Sequence, residues 1–390
     1  MAPPNQMRQT IRAARPWFSE QEIAAILPSV EAVLESGQLI LGEHTEAFEN
    51  AFKQFVGSEY AVAVNSCSSA IQIALRFFGV EGREVILPTN NFPGVVSAVL
   101  YEGGVPVLAD MDPATFCFDT EDALRCITPR TAGVIVVHLG GLVYPDIDYL
   151  REICERKGLF LIEDVAHAHG ASIGGRRAGN LADAGCFSFY PTKIMTTCTG
   201  GMITTRHAKL AEYARLLRHH GQGKRREEFV QMGSDWCMSE IHAVLGLHQL
   251  ARLDENVAHR NQLVAWYREG LADADWIRIP SYPEQFRHAY YKLPTLVNED
   301  VNRDLLRRTL EDEFKIQNGT IYDPPCHLQT AFRDRLGLPR GSFPKAEQTL
   351  ARQLCPPIHA TISREDVNYV IQAMSAVIDR CRVARDTPHE

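Results

Sequence analysis

Residues 133–164 read GVIVVHLGGLVYPDIDYLREICERKGLFLIED, and the change of texture along them decides the fold. A continuous apolar run, GVIVVH (133–138), gives way to an amphipathic stretch, DIDYLREICERKG (146–158), and then to a second apolar run, LFLIED (159–164). Unbroken apolar runs of this length belong to strands buried on both faces, and the stretch between them has helical spacing. The same alternation runs upstream through AVAVN (61–65), the helical SSAIQIALRFF (68–78), EVILP (84–88), GVVSAVLYEGG (94–104) and VPVLAD (105–110). The expectation is an α/β fold with a mostly parallel central sheet covered by helices. In such sheets ligand-binding residues collect at the carboxyl ends of the strands.

Past residue 250 the pattern changes. LARLDENVAHRNQLVAWYREGLADA (250–274) reads as one long helix, followed by short strands, helices and proline-rich turns such as YDPPCH and CPPIH. We expect a large domain over residues 1–250 and a smaller α+β domain over 251–390.

The net charge of −8 carries no long block of one sign, which argues against a nucleic-acid arm or a membrane-binding face. In GKRREE (223–228) the basic residues run straight into acidic ones, as in a solvated loop. The opening MAPPNQMRQTIRAARPWF has arginines but no apolar stretch of signal-peptide length, so the expectation is a cytoplasmic protein. Ten cysteines without a C-x-x-C pair and fourteen histidines without H-E-x-x-H point to reduced thiols and no metal site.

The informative polar residues stand at strand ends. Asp164 directly follows an apolar run, where a carboxylate meets a ligand, although a turn or N-cap aspartate fits this segment equally well. NSCSSA (65–70) opens a helix with small hydroxyl residues, a pattern that can hold an anion at the positive end of the helix dipole. FSFYPTK (187–193) ends a strand-like run in Lys193, and the small-residue tract IMTTCTGG follows it. An amine so placed can attack a carbonyl, with small neighbours leaving room for a bulky adduct. Pyridoxal 5′-phosphate (PLP) needs each of these parts: an anion site, a carboxylate on the pyridine nitrogen and a Schiff-base lysine.

Further matches in order along the chain, among them RPWFSEQEI, SGQLILGEHTEAFENAF, GGVPVLADMDPATFCFD, IEDVAHAHGA, GGMITT, PPCHLQTAF and FPKAEQ, carry a resemblance. The chain resembles the DegT/DnrJ/EryC1/StrS family of PLP-dependent sugar aminotransferases of aspartate-aminotransferase fold, which includes the aminohydroxybenzoate synthases. The resemblance implies that Lys193 holds the cofactor and relays a proton, and that Asp164 pairs with the pyridine nitrogen. It implies that His167 contacts the ring or its 3-hydroxyl and that Phe92 covers the ring. Ser66, Cys67, Ser68 and Ser188 then hold the phosphate. It implies a homodimer with sites at the interface, an amino-acid donor such as L-glutamate or L-glutamine, and a keto sugar or keto cyclitol acceptor in antibiotic or polysaccharide biosynthesis. Candidate acceptor residues are His138, His327, and Leu39 and Ile40 in SGQLILG (36–42). An aromatising lyase of the aminohydroxybenzoate synthase type and a non-catalytic regulatory homologue are the alternatives.

Three departures from the family pattern stand out. Cys67 replaces a glycine in Ser-Gly-Thr, Cys198-Thr199-Gly200-Gly201 replaces Gly-Glu-Gly-Gly, and Cys237 replaces an Asn or Arg that reaches the neighbouring subunit's phosphate.

Overall fold

In a computed structural model that describes residues 9–223, 225 and 227–383, the apolar runs become strands of one seven-stranded sheet. Helices α1 (Glu20–Ser36) and α2 (Glu43–Val56) precede it. Its first five strands are β1 (Tyr60–Val64), β2 (Glu84–Pro88), β3 (Val105–Ala109), β4 (Thr131–Val137) and β5 (Phe160–Asp164). A small ribbon outside the sheet, β6 (Ser172–Ile173) and β7 (Arg176–Arg177), precedes its last two strands, β8 (Ala184–Ser188) and β9 (Gly201–Thr205). The spatial order is β1-β9-β8-β5-β4-β2-β3. All neighbours are parallel except β9, which is antiparallel to β1 and β8. The carboxyl ends of β1, β5 and β8 therefore open onto one edge.

Helices α3 (Cys67–Phe78), α4 (Pro93–Tyr101), α5 (Thr120–Arg125), α6 (Ile147–Lys157) and α7 (Ala208–Leu217) follow the strands. Burying β2, β4, β5, β8 and β9 at every position explains why their sequences run apolar without alternation.

The stretch expected as one long helix is two: α8 (Glu240–Ala251) and α9 (Leu253–Gly270) meet at Arg252. There the backbone leaves helical geometry (φ −107°, ψ 3°). The Arg252 guanidinium is bound to Glu22 of α1 and to Glu255, and lies 4.4 Å from the centre of the Trp17 ring. Tertiary anchoring of this one side chain overrides the local helical pattern.

Beyond α9, β10 (Ile277–Arg278), β12 (Thr295–Val297) and β13 (Gln353–Leu354) form a three-stranded sheet, while β11 (Phe286–Arg287) joins β6. Helices α10 (Arg303–Phe314), α11 (Thr330–Leu336), α12 (Pro344–Ala351) and α13 (Arg364–Val377) complete the chain. A second apolar core gathers Leu263, Tyr267, Leu306, Leu354, Val370 and Met374. Ile11 joins that core beside Ile316, so the N-terminal strap packs on the C-terminal part. Conversely, Ile321, Cys326, Phe332 and Leu350 belong to the core of the large sheet.

Among the described residues no helix is long and apolar enough to cross a membrane. Of GKRREE, Lys224 and Arg226 lie outside the described residues; Arg225, Glu227 and Glu228 are exposed.

Gly201 shows why small residues follow Lys193. A Cβ there would lie 2.4 Å from the carbonyl carbon of Ser66 and 2.7 Å from the Cys67 nitrogen. The start of β9 and the start of α3 touch backbone to backbone, and only glycine permits it. Gly201→Ala is expected to force these elements apart and to destabilise the fold by about 1–3 kcal/mol, the usual cost of overpacking. A lowered urea midpoint checks this, and an unchanged one contradicts it.

Candidate active site

A cavity of about 440 Å³ opens at the carboxyl edge of the sheet. Ser66, Cys67 and Ser68 enter it from the β1–α3 junction, Phe92 from the start of α4, and Asp164, Ala166 and His167 from the end of β5. Ser188 comes from the end of β8, and Tyr190, Thr192 and Lys193 from the loop beyond it. The loop bearing Lys193 is closed on itself: Phe189 N–H donates to Gly200 O (2.9 Å), Thr197 N–H to Phe189 O (3.1 Å) and Lys193 N–H to Tyr190 O (2.9 Å). Of the small-residue tract only Thr199 and Gly200 line the cavity, while Ile194, Met195, Thr196 and Thr197 are buried away from it.

Strand parity decides which end residues reach this space. Asp164 pairs in register with Val137 on one side and Cys186 on the other, so Asp164, Cys186 and Ser188 point to one face. His138, one residue past Val137, points to the opposite face with Glu163. Its Nε2 is 2.8 Å from Glu163 Oε2 and its Nδ1 accepts the Tyr144 N–H (3.0 Å). His138 is fully buried and does not line the cavity, which corrects its expected placement there.

The same correction applies to His327. Its Nδ1 is 2.7 Å from Thr89 Oγ1 and its Nε2 is 3.0 Å from Glu347 Oε1, so it ties the loop after β2 to the C-terminal part from behind the cavity. Leu39 and Ile40 are exposed and also lie outside the cavity. Their loop is anchored instead by the buried Glu240 carboxylate, which accepts the N–H groups of Gly42 (2.9 Å), His44 (2.8 Å) and Thr45 (3.0 Å).

Asp164 is buried, and its Oδ1 accepts the Ala166 N–H at 2.9 Å. Burial pushes its carboxyl above the ordinary value, although that hydrogen bond and the positive charge of Lys193 pull the other way. Among the described residues no cation is bonded to it. The Cys67 thiol lies 4.0 Å from Asp164 Oδ1 and 3.5 Å from Cys186 O, and burial together with Asp164 holds it protonated. At the start of α3, Ser66 Oγ caps the Ser69 N–H (3.1 Å), while the N–H groups of Cys67 and Ser68 have no acceptor among the described residues.

Cys198 is exposed with φ 71°, a geometry suited to the glycine it replaces. The half-buried Cys237 thiol points 3.2 Å from Arg218 O, away from the cavity.

The C-terminal part supplies residues that the sequence did not single out: Tyr291, Lys292, Thr320 and Tyr322. Their sequence context, HAYYKLP and GTIYDPP, has no strand or helix period to flag them. His167 is stacked between Tyr291 (centroids 4.3 Å apart) and Tyr322 (5.4 Å). Burial, then Lys193 and Lys292, hold His167 well below its ordinary pKa, so the ring is neutral. Its Nδ1 accepts the Gly140 N–H (3.3 Å), which assigns the proton to Nε2 and makes it a donor to Tyr322 Oη at 2.9 Å. The hydroxyl proton of Tyr322 is then free to be donated into the cavity. For Tyr291, burial raises the pKa, but Lys193 and Lys292 outweigh it and the net direction is down.

This arrangement fits PLP on the chain's own chemistry: a buried carboxylate without a cation, two unsatisfied helix N–H groups beside Ser68 and Ser188, and a lysine amine in the same cavity. The fold and site are those of a PLP-dependent aminotransferase. The model of the DegT/DnrJ/EryC1/StrS aminotransferase family matches residues 20–375, and the chain belongs to that family. The GDP-perosamine synthase of Caulobacter vibrioides is 35% identical over 87% of this chain and 91% of its own length. The aminotransferase TlmJ of Streptoalloteichus hindustanus superposes with TM-score 0.87 at 34% identity, covering 95% of this chain and 99% of its own. The PLP form of Spr1654, a provisionally assigned sugar aminotransferase of Streptococcus pneumoniae, gives TM-score 0.89 at 27% identity over 96% of this chain and all of its own.

Buried neutral histidines give the fold a pH dependence. Burial holds His167 well below the ordinary 6.5, brings His169 and His288 to about 3 and His359 to about 4. These groups stay neutral when folded and take protons near 6.5 when unfolded, so their stabilisation is complete above that pH and declines as pH falls below it. Each contributes about 1.4 kcal/mol per pH unit, opposed in part by the raised Asp164, whose folded form gains protons first. Urea midpoints are expected to fall between pH 7 and pH 5; a flat or rising profile contradicts this.

Proposed function

We propose that the protein transfers an amino group from L-glutamate or L-glutamine to the ketone of a keto sugar or keto cyclitol, in the assembly of an antibiotic or a polysaccharide. The observation that carries this reading is that Lys193 and Asp164, from different strand ends, line one cavity together with hydroxyl groups suited to a phosphate. The GDP-perosamine synthase relative supports a sugar acceptor. We also divide the chain functionally near residue 250: residues 1–250 hold PLP, and residues 251–390 close the substrate side through Tyr291, Lys292 and Tyr322.

Bound in this cavity, PLP supplies an electrophilic aldehyde and an electron sink. Lys193 Nζ would hold the cofactor through its aldehyde carbon, and the same amine would serve as the base and acid that carries the donor's Cα proton. Asp164 keeps the ring nitrogen protonated, and its burial strengthens that pairing. The Cys67 and Ser68 N–H groups with the Ser68 and Ser188 hydroxyls hold the phosphate at the start of α3, with Ser66 fixing the helix start by its cap. Phe92 would pack against the cofactor, and Tyr322, held by His167, would donate its hydroxyl proton to it. Two copies of the chain form the functional dimer, and Leu39 and Ile40, exposed on one copy, face the acceptor site from there.

L-Glutamate and L-glutamine, added separately to the holo-protein, are each followed by the loss of the absorbance of the lysine-linked cofactor. At least one is expected to discharge it, and a keto sugar then restores it. Lys193→Ala is expected to lack the lysine-linked absorbance and to form keto acid from the donor about 10²–10⁴-fold more slowly, the share that general acid–base catalysis carries. An unchanged rate in that variant sinks the assignment.

Asp164→Asn retains the shape but not the charge. It is expected to lower kcat for the first half-reaction by about 10²–10³-fold, the scale of a lost electrostatic partner, while PLP remains bound. Wild-type kcat in this variant contradicts the role of Asp164.

A further inference from the structure

Among the described residues that line the cavity, three carry a formal charge: Asp164, Lys193 and Lys292. The first two are engaged by the cofactor in the reading above. Lys292 is half-buried and, among the described residues, has no carboxylate or hydrogen-bond acceptor at its ammonium. Its ammonium lies 5.6 Å from the centre of the Tyr291 ring, and Lys193 Nζ lies 4.6 Å from the same centre.

The backbone around Lys292 is fixed. Its N–H donates to Gly140 O (3.2 Å), Ala289 N–H donates to Gly141 O (2.9 Å), and the buried Arg260 donates to Tyr290 O (2.9 Å) and Ile358 O (3.0 Å). The segment is thereby clamped to the loop after β4, and the stem of Lys292 starts from a defined place. The head reaches past Gly319, whose added Cβ would stand in ordinary contact with Nζ at 3.7 Å.

We propose that Lys292 is the residue that binds the α-carboxylate of the amino donor. This inference rests on the donor reading above. The donor's nitrogen must arrive where Lys193 Nζ stands, and its carboxylate is three bonds away from that nitrogen. A cation over the same tyrosine ring as Lys193 is placed to meet it. The hydroxyls of Tyr291 and Thr192, 3.2 Å apart, add polar partners on the same wall. Thr199 lines the cavity where the usual Gly-Glu-Gly-Gly tract carries Glu, so among the described lining residues Asp164 is the one carboxylate. One unpaired cation suits a monoanionic contact shared by L-glutamate and L-glutamine, and it does not by itself choose between them. Lys292 thus sets orientation: it turns the donor so that the Cα proton, rather than the carboxylate, faces the Lys193 amine.

The test uses holo-protein with Lys292→Met and Lys292→Arg, and α-methyl-L-glutamate as the probe, because it keeps the amine and carboxylates but has no α-proton to lose. Its dissociation constant is read from the cofactor spectrum at increasing KCl, with PLP content measured in parallel. Lys292→Met is expected to weaken binding about 10–100-fold, as loss of a charged hydrogen bond does, and to flatten the salt dependence. Lys292→Arg is expected to recover most of it, with PLP content unchanged in both. L-Glutamine, which has only the α-carboxylate, is expected to lose discharge rate as much as L-glutamate does.

An unchanged dissociation constant in Lys292→Met overturns the proposal, as does loss of PLP, which would give Lys292 to the cofactor phosphate. A defect confined to L-glutamate also overturns it, by moving the contact to the side-chain carboxylate. If neither amino acid discharges the unaltered holo-protein, the donor reading fails and this assignment falls with it; if discharge is normal and only the variant result is negative, the assignment alone is lost.

Discussion

Side chains on neighbouring parallel strands point to the same face when they are paired in register, and that rule sorts the whole edge of this sheet. With Asp164 opposite Cys186, both Asp164 and Ser188 face the cavity, whereas Glu163 and His138 are sent to the other face and bond each other there. A slip of one residue in β5 would exchange Asp164 for Glu163 and turn the carboxylate into the packed layer. Glu163 resists the slip from its own side, since its two oxygens accept the N–H groups of Gly179 (2.8 Å), Leu181 (2.8 Å) and Ala182 (3.0 Å). Adjacent acids on one strand therefore do different work: one accepts backbone N–H groups and holds the register, while the other is left short of partners and faces the cavity.

The second constraint is the close approach of β9 to α3. Because β9 is inserted antiparallel between β1 and β8, the start of α3 is drawn over the sheet next to the Lys193 loop. Gly201 makes that contact possible without a side chain, and the Thr199 hydroxyl reaches Asn65 O at 3.3 Å across the same junction. The helix start and the lysine are thus held against each other by main-chain geometry. A chain with bulk in this tract could keep every polar residue of the site and still hold the two apart.

Much of the large sheet was legible from periodicity, because buried parallel strands leave long apolar runs and their connecting helices leave a 3.6-residue pattern. The strand-end residues Asp164, Ser188 and Lys193 followed from those runs. His138 shows the limit of that reasoning, for a strand end indicates the edge, and only the residue's parity relative to its neighbours indicates the face. His327 misled for a different reason: its partner Thr89 is more than two hundred residues away and Glu347 lies beyond the next helix, so nothing local reveals a buried relay between them. Tyr291, Lys292 and Tyr322 come from irregular chain folded back over the sheet, where position depends on long-range packing such as the Arg260 clamp. The break at Arg252 likewise depends on Glu22 and Trp17, more than two hundred residues upstream.

The central claim is that of two lysines in one cavity, Lys193 is the covalent residue and Lys292 the ionic one. Borohydride reduction of the holo-protein, followed by proteolysis and mass spectrometry, tests it most directly. The expected result is a reduced pyridoxyl adduct on the peptide containing Lys193 and an unmodified Lys292. An adduct on Lys292, or none on either lysine, contradicts the account.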